Sequence, residues 1–122
     1  RLPEMLRLFD FAEPSIIVGR RSVTTVPSQA LFLLNSPFIL EQSDRMAERV
    51  LAVSGNAGDR VRRAYRLALA RRPSEAESRA ATSLIQDTLA GLPEGNAEKN
   101  RKQAWSALCQ SLLACAEFRY QP

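Results

Sequence analysis

The fold is decided by the stretch DRVRRAYRLALARRPSEAE, residues 59–77, which predicts one helix, its end and the beginning of the next. Apolar side chains recur there with the 3.6-residue period of a helix buried on one face: Val61, Ala64, Tyr65, Ala68 and Leu69. Asp59 is expected to cap the first helix, and the cations of Arg71-Arg72-Pro73 suit its negative C-terminal end. Ser74 and Glu77 then have the spacing of a capping box, in which two side chains satisfy two backbone donors of the next helix.

The same reasoning predicts for the whole chain an all-α fold, a compact bundle of five to six helices with a long irregular N-terminal loop. The expected helices cover residues 3–9, 25 to about 35, 37 to about 53, 59 to about 70, 74 to the loop at 91–96, and 97 to about 118. No segment alternates with the two-residue period of a strand, and the short connectors favour antiparallel packing.

The spacing of the apolar residues also predicts which side chains face the core. The inward-facing residues are expected to be Phe38, Ile39 or Leu40, Met46, Val50 and Leu51 on the third helix, Ala81, Leu84, Ile85, Thr88 and Leu89 on the fifth, and Trp105, Leu108, Leu112 and Cys115 on the last. Cys109 and Cys115 stand six residues apart in one helix and cannot pair there, so both are predicted to be small buried side chains.

Composition limits what the chain can do. Its 122 residues carry 17 Lys+Arg and 13 Asp+Glu, a net charge of +4, and 45% of them are hydrophobic. These values suit a single helical domain over residues 1–122. The sequence contains no histidine, which excludes within it a Ser-His-Asp triad, an HExxH zinc site and a His-ligated haem.

The ends and the hydropathy of the chain bear on its context. The first residues are Arg1-Leu2-Pro3, without an initiating methionine or a signal-peptide pattern, so we interpret the chain as the C-terminal fragment of a longer multidomain protein. No run approaches 18 consecutive apolar residues, and no membrane span is predicted.

The irregular stretch from residue 12 to residue 26 is the first candidate for a binding role, because long loops in small domains are either packed down or used for binding. Gln29 and Asn35 follow on an otherwise apolar helix, where we expect their amides to be buried and to hold the loop by hydrogen bonds. The predicted interaction surface comprises Arg20, Arg21, Thr24, Thr25, Gln29 and Asn35. No catalytic, cofactor-binding or metal-ligating residue is predicted.

Two charge clusters have both a binding and a structural interpretation. Six arginines lie within thirteen positions that contain no acidic residue: Arg60, Arg62, Arg63, Arg66, Arg71 and Arg72. They could meet phosphate, although a solvated helix face is the favoured interpretation because no aromatic residues or phosphate loop accompany them. Glu41, Asp44 and Glu48 share one helix face beside Arg45 and Arg49, which favours surface salt bridges.

Several motifs resemble domain of unknown function 1553, a family characteristic of planctomycetes. The most specific is GRRSVTTVPSQAL, residues 19–31; Phe9-Asp10-Phe11 and Leu34-Asn35-Ser36-Pro37-Phe38 accompany it. The stretch from Tyr65 to Pro73 and that from Trp105 to Tyr120 look like the closing helices of the same family. The run Ala114-Cys115-Ala116 departs from the polar run that is usual there.

The resemblance implies a C-terminal portion of a large, usually exported protein, with an extracytoplasmic location. A cytochrome c-like domain and another domain of unknown function often precede it, so haem would be held upstream and no cofactor is expected in this fragment. The family supplies no catalytic residues that could be carried over.

These observations lead to one main hypothesis and two alternatives. The main hypothesis is a non-catalytic helical module that docks onto the upstream domains of the same exported polypeptide through the loop at 11–26 and Gln29. One alternative is an accessory part of an enzyme cleft for polysaccharide or another polymer, with Arg20, Arg21 or Glu117 in the cleft. The other is nucleic-acid binding through Arg62, Arg63 and Arg66, which is the less favoured partner.

Overall fold

The computed structural model describes residues 2–12 and 28–119, and it confirms the all-α prediction. The six helices of these two ranges are α1 (Leu2–Ala12), α2 (Ser28–Leu34), α3 (Pro37–Ala52), α4 (Ala57–Leu69), α5 (Glu75–Ala90) and α6 (Ala97–Arg119). No strand occurs within them. The predicted irregular loop lies outside the described residues except at its start, since α1 continues to Ala12.

The last helix, α6, forms the centre of the bundle. Each of the other five helices packs against it. All four predicted core residues of α6 are buried, Trp105, Leu108, Leu112 and Cys115, and Cys109 is buried as well. The ring of Phe9 on α1 meets that of Phe118 edge to face, with centroids 6.2 Å apart. A helix buried on several sides can serve as a common packing surface, and α6 has that role here.

Polar contacts tie α3 to α6 along their exposed edges. The Nζ of Lys102 lies 2.8 Å from Oε2 of Glu48, and the hydroxyl of Ser106 donates a 2.6 Å hydrogen bond to Oδ1 of Asp44. The remaining acid of the predicted cluster, Glu41, pairs with Arg45 one turn away. Surface salt bridging is therefore confirmed for Glu41 and Glu48, the latter across to α6, whereas Asp44 accepts a hydrogen bond instead.

The start of α4 differs from the prediction, because Asn56 and not Asp59 is the N-cap. The backbone N–H of Asp59 donates to Oδ1 of Asn56 at 2.8 Å, and the N–H of Asn56 donates to Oδ2 of Asp59 at 3.3 Å. These two bonds form a capping box in which Asp59 is the third helical residue. The predicted box of Ser74 and Glu77 at the start of α5 is confirmed.

Two predicted core residues, Phe38 and Leu89, are exposed, by 63% and 39%. Of the alternatives Ile39 and Leu40, Ile39 is buried and Leu40 is 44% exposed. On α3 the side chain that faces the core is Ile39, together with Met46 and Val50. Adjacent residues of a helix are turned about 100° from each other, so burial of Ile39 directs both of its neighbours away from the core.

Ala70 ends α4 in the left-handed region, with φ 56° and ψ 34°. Its N–H donates to the carbonyl of Arg66 at 3.0 Å. Glycine adopts this conformation without the steric conflict that a Cβ causes, and alanine does not.

We expect Ala70→Gly to raise the free energy of unfolding by about 0.5–1 kcal/mol, because relief of the backbone strain exceeds the added flexibility of the unfolded chain. Chemical denaturation of both proteins measures the difference. Ala90→Gly, at the exposed last residue of α5, is the matched control and should not raise the free energy of unfolding. A destabilised Ala70→Gly protein would contradict the prediction.

Candidate docking site

A groove of about 330 Å³ opens between α3, α4 and α6. Its apolar floor consists of Ile39, Met46, Leu67, Leu113 and Ala116, and its rim of Phe38, Gln42, Arg45, Arg49 and Glu117. We call this the α3–α4–α6 groove.

The rim residues of α3 follow from helical geometry. Phe38, Gln42, Arg45 and Arg49 are separated by four, three and four positions, which places them on one side of the helix. This side of α3 lies next to the row of buried residues that includes Ile39 and Met46. Most of its side chains therefore lie at the edge of the core. Phe38 is therefore a large aromatic side chain held at the mouth of an apolar depression.

The electrostatics of the groove are mainly basic on the α3 side. Arg45 lies 2.9 Å from Glu41, but both side chains are about two-thirds exposed, so the pair is weak. Arg49 makes no ion pair with another described residue, and Glu117 is the one carboxylate that lines the groove. An apolar segment that carries a negative charge toward α3 would fit this arrangement.

The predicted interaction surface is only partly described. Arg20, Arg21, Thr24 and Thr25 lie outside the described residues. Gln29 and Asn35 lie on or next to α2, and both are exposed, so the prediction of buried amides is wrong. The side-chain amide of Asn35 donates to the carbonyl of Leu31 at 3.0 Å, within its own helix.

Phe32 also belongs to this surface, although the sequence did not predict it there. It is 73% exposed, and it stands three positions from both Gln29 and Asn35. Its exposure follows from the burial of Ala30, Leu33 and Leu34, which occupy the side of α2 that packs on the bundle. Glu117, the other predicted candidate, lies at the α3–α4–α6 groove instead.

The structure divides the arginine run into separate contacts. Arg62 pairs with Asp59, and Nη2 of Arg60 donates to the carbonyl of Val53 at 3.3 Å. Arg71 lies beyond the last residue of α4 and pairs with Glu77. The stripe of Arg62, Arg63 and Arg66 proposed for nucleic acid thus has one member neutralised by its own chain, which weakens that interpretation.

Arg71 and Glu77 form a bidentate ion pair at the junction of α4 and α5. Their N–O distances are 2.8 and 2.9 Å, and Glu77 is buried. The guanidinium carbon of Arg71 also stands 5.6 Å from the centroid of the buried Tyr65 ring, within cation–π range. The spacing of Ser74 and Glu77 predicts only the capping box, and no sequence pattern indicates this second contact of Glu77.

Glu77 is held in its charged form. Burial alone would raise the pKa of this carboxyl, but the hydrogen bonds from Arg71 and from the backbone of Ser74 outweigh it, so the pKa lies below its ordinary value of 4.5. The same pair raises the pKa of Arg71. The carboxylate thus joins the end of α4 to the start of α5.

The two cysteines are buried and not joined in a disulfide, as predicted. Burial raises the pKa of the Cys109 thiol to about 12, which removes its thiolate at neutral pH. Among residues 2–12 and 28–119, no group of His, Cys, Asp and Glu side chains could hold a metal ion. No helix in the same ranges is long and apolar enough to cross a membrane.

Comparison with family models identifies the chain. The model described as PSD1, protein of unknown function (DUF1553), matches residues 1–85. The chain belongs to the DUF1553 family. Neither the curated proteins nor the solved structures gave a match. The matched DUF1553 range contains α1 to α4 and most of α5, whereas the resemblance of residues 105–120 to the closing helices of the family stays a prediction.

We expect Glu77→Gln to lower the free energy of unfolding at pH 7 by about 2 kcal/mol, because it removes the negative charge that pairs with Arg71 at a buried position, while glutamine can still cap the helix. Denaturant unfolding measures the loss. Glu41→Gln, the same change in an exposed pair, is the control and should lower it by less than about 0.5 kcal/mol.

The pH dependence has a definite sign. Folding lowers the pKa of Glu77, so its carboxylate stabilises the folded state above pH 4.5. This stabilisation is lost as the pH falls through the pKa of Glu77 in the folded protein. The stability difference between the wild type and Glu77→Gln should therefore shrink as the pH falls below 4.5. A difference that stays constant down to pH 3 would contradict this assignment.

Proposed function

We propose that this DUF1553 chain is a non-catalytic helical module that docks onto the preceding domains of the same exported polypeptide. The observation that carries the proposal is the α3–α4–α6 groove, in which an exposed phenylalanine stands at the mouth of an apolar floor. A segment of the preceding domains would occupy it.

The exposure of Phe38 supports a docking role on energetic grounds. Full burial of a phenylalanine side chain contributes about 1.5–3 kcal/mol relative to leaving it in water. Phe38 is 63% exposed in the chain by itself, so much of this contribution is still available to a partner. An aromatic anchor beside a preformed apolar depression is typical of the residues that dominate interface energies.

The rim charges support a particular orientation of the occupant. Arg45 and Arg49 lie on the α3 side, and Glu117 on the α6 side. An amphipathic segment with acidic residues toward α3 would pair with these arginines, and its apolar face would cover Leu67 and Leu113. Such charge pairs act mainly on orientation and association rate, and the apolar contact supplies most of the affinity.

The first test is calorimetric titration of the 122-residue chain against the separately expressed preceding region of its polypeptide. We expect a dissociation constant in the micromolar range or below. Phe38→Ser should weaken binding about tenfold or more, because it removes the aromatic anchor from the groove. Thermal unfolding of the variant checks that it remains folded.

Leu89→Ser is the matched control. Leu89 is an exposed apolar residue on α5, a helix that contributes nothing to the groove, and its substitution should leave binding unchanged. Absence of binding at moderate salt would overturn the docking proposal. An equal loss for Phe38→Ser and Leu89→Ser would retain docking but remove the groove as its site.

A further inference from the structure

A second cavity, of about 190 Å³, lies on another side of the bundle, between α1 and α5. Its walls are formed by Arg7, Phe11, Ala76, Arg79, Ala80 and Ser83. We call it the α1–α5 cavity. It shares no residue with the α3–α4–α6 groove.

The construction of the α1–α5 cavity follows from the register of its two helices. Arg7 and Phe11 stand one turn apart on the edge of α1, beside the buried stripe of Met5, Leu8 and Phe9. On α5 the lining residues recur at positions 76, 79, 80 and 83, which is one helix face. Two alanines form the floor, and their small side chains leave the space that the cavity occupies.

The two charged side chains that line this cavity, Arg7 and Arg79, are both positive. No carboxylate lines this cavity, whereas three other cavities between described residues each contain Glu or Asp among their lining residues. Neither arginine forms an ion pair or a hydrogen bond with another described side chain, and the carboxylate of Glu4, which interacts electrostatically with Arg7, does not line the cavity. Two cations at one cavity repel each other, and an anion placed there would remove this repulsion.

We propose that the α1–α5 cavity binds the phosphate group of a phosphate monoester. The two guanidinium groups supply two positive charges and paired N–H donors, which match the two negative charges and the oxygens of a phosphate dianion. The hydroxyl of Ser83 provides a further donor. The exposed ring of Phe11 forms the apolar wall against which the organic part of the ester lies.

Each part of this cavity contributes a different property. The arginines select a dianion over a monoanion, because each additional ligand charge has a cation to meet. Phe11 selects an ester over inorganic phosphate, because an aromatic or apolar substituent gains contact with its ring. The proposal is independent of docking at the α3–α4–α6 groove, which lies between other helices.

The test uses the 122-residue chain and phenyl phosphate as the probe, at pH 8, where the phosphate monoester is a dianion. Thermal unfolding is followed at constant ionic strength adjusted with NaCl. We expect a rise in melting temperature that saturates with phenyl phosphate, since a ligand that binds only the folded state stabilises it. Phenyl sulfate, a monoanion of similar shape, should give a smaller shift at the same concentration.

Variants locate the binding and separate its parts. Arg79→Gln should raise the dissociation constant for phenyl phosphate tenfold or more, because it removes a charge-assisted contact. Arg101→Gln, in a cavity at the start of α6 that is lined by charges of both signs, is the matched control and should leave the dissociation constant unchanged. Phe11→Ala should weaken phenyl phosphate by about fivefold and leave inorganic phosphate unaffected.

Three results would overturn the proposal. The first is a melting temperature that does not rise beyond the NaCl control. The second is an equal effect of Arg101→Gln and Arg79→Gln, which would show diffuse attraction to a basic surface. The third is an equal response to phenyl phosphate and phenyl sulfate, which would remove the selection of a dianion.

Discussion

The burial of α6 is the constraint on which the rest of the structure depends. Its apolar residues are distributed around the helix, so no single partner could cover them, and all five other described helices pack against it. In a chain of this size, one central helix allows each short neighbour to bury its own apolar stripe without a second core. The parts of each neighbouring helix that α6 does not cover form the surface of the molecule.

Polar contacts fix the positions of the helices relative to α6 and to each other, which apolar packing alone does not specify. Gln110 of α6 donates to the carbonyl of Leu34 and thereby holds the last turn of α2. Lys102 and Ser106 hold α3, and the Arg71–Glu77 pair holds the turn between α4 and α5. The Gln110 and Arg71 contacts involve partly buried groups, whereas those of Lys102 and Ser106 lie at the exposed edge; all of them fix how the helices are positioned against each other.

The two cavities arise where neighbouring helices meet α6 or each other without closing the space between them. The α3–α4–α6 groove is apolar with charges of both signs on its rim, which suits a segment of protein. The α1–α5 cavity is smaller and lined by cations without carboxylates, which suits a small anionic ligand. The charged residues of both cavities lie beside the apolar stripes of their helices and not within them.

The sequence by itself determined the helices and most of the core, because the 3.6-residue period, the Ser74–Glu77 box and the glycine-containing loop at 91–96 are local signals. Local signals placed Phe38 in the core and left Ile39 and Leu40 as alternatives. Only the tertiary structure decided these points, since the choice depends on which side of α3 packs against α6. The same holds for both cavities and for the pairing of Arg71 with Glu77 beside Tyr65. Their residues are brought together by helix packing, which no periodicity or spacing in the sequence specifies.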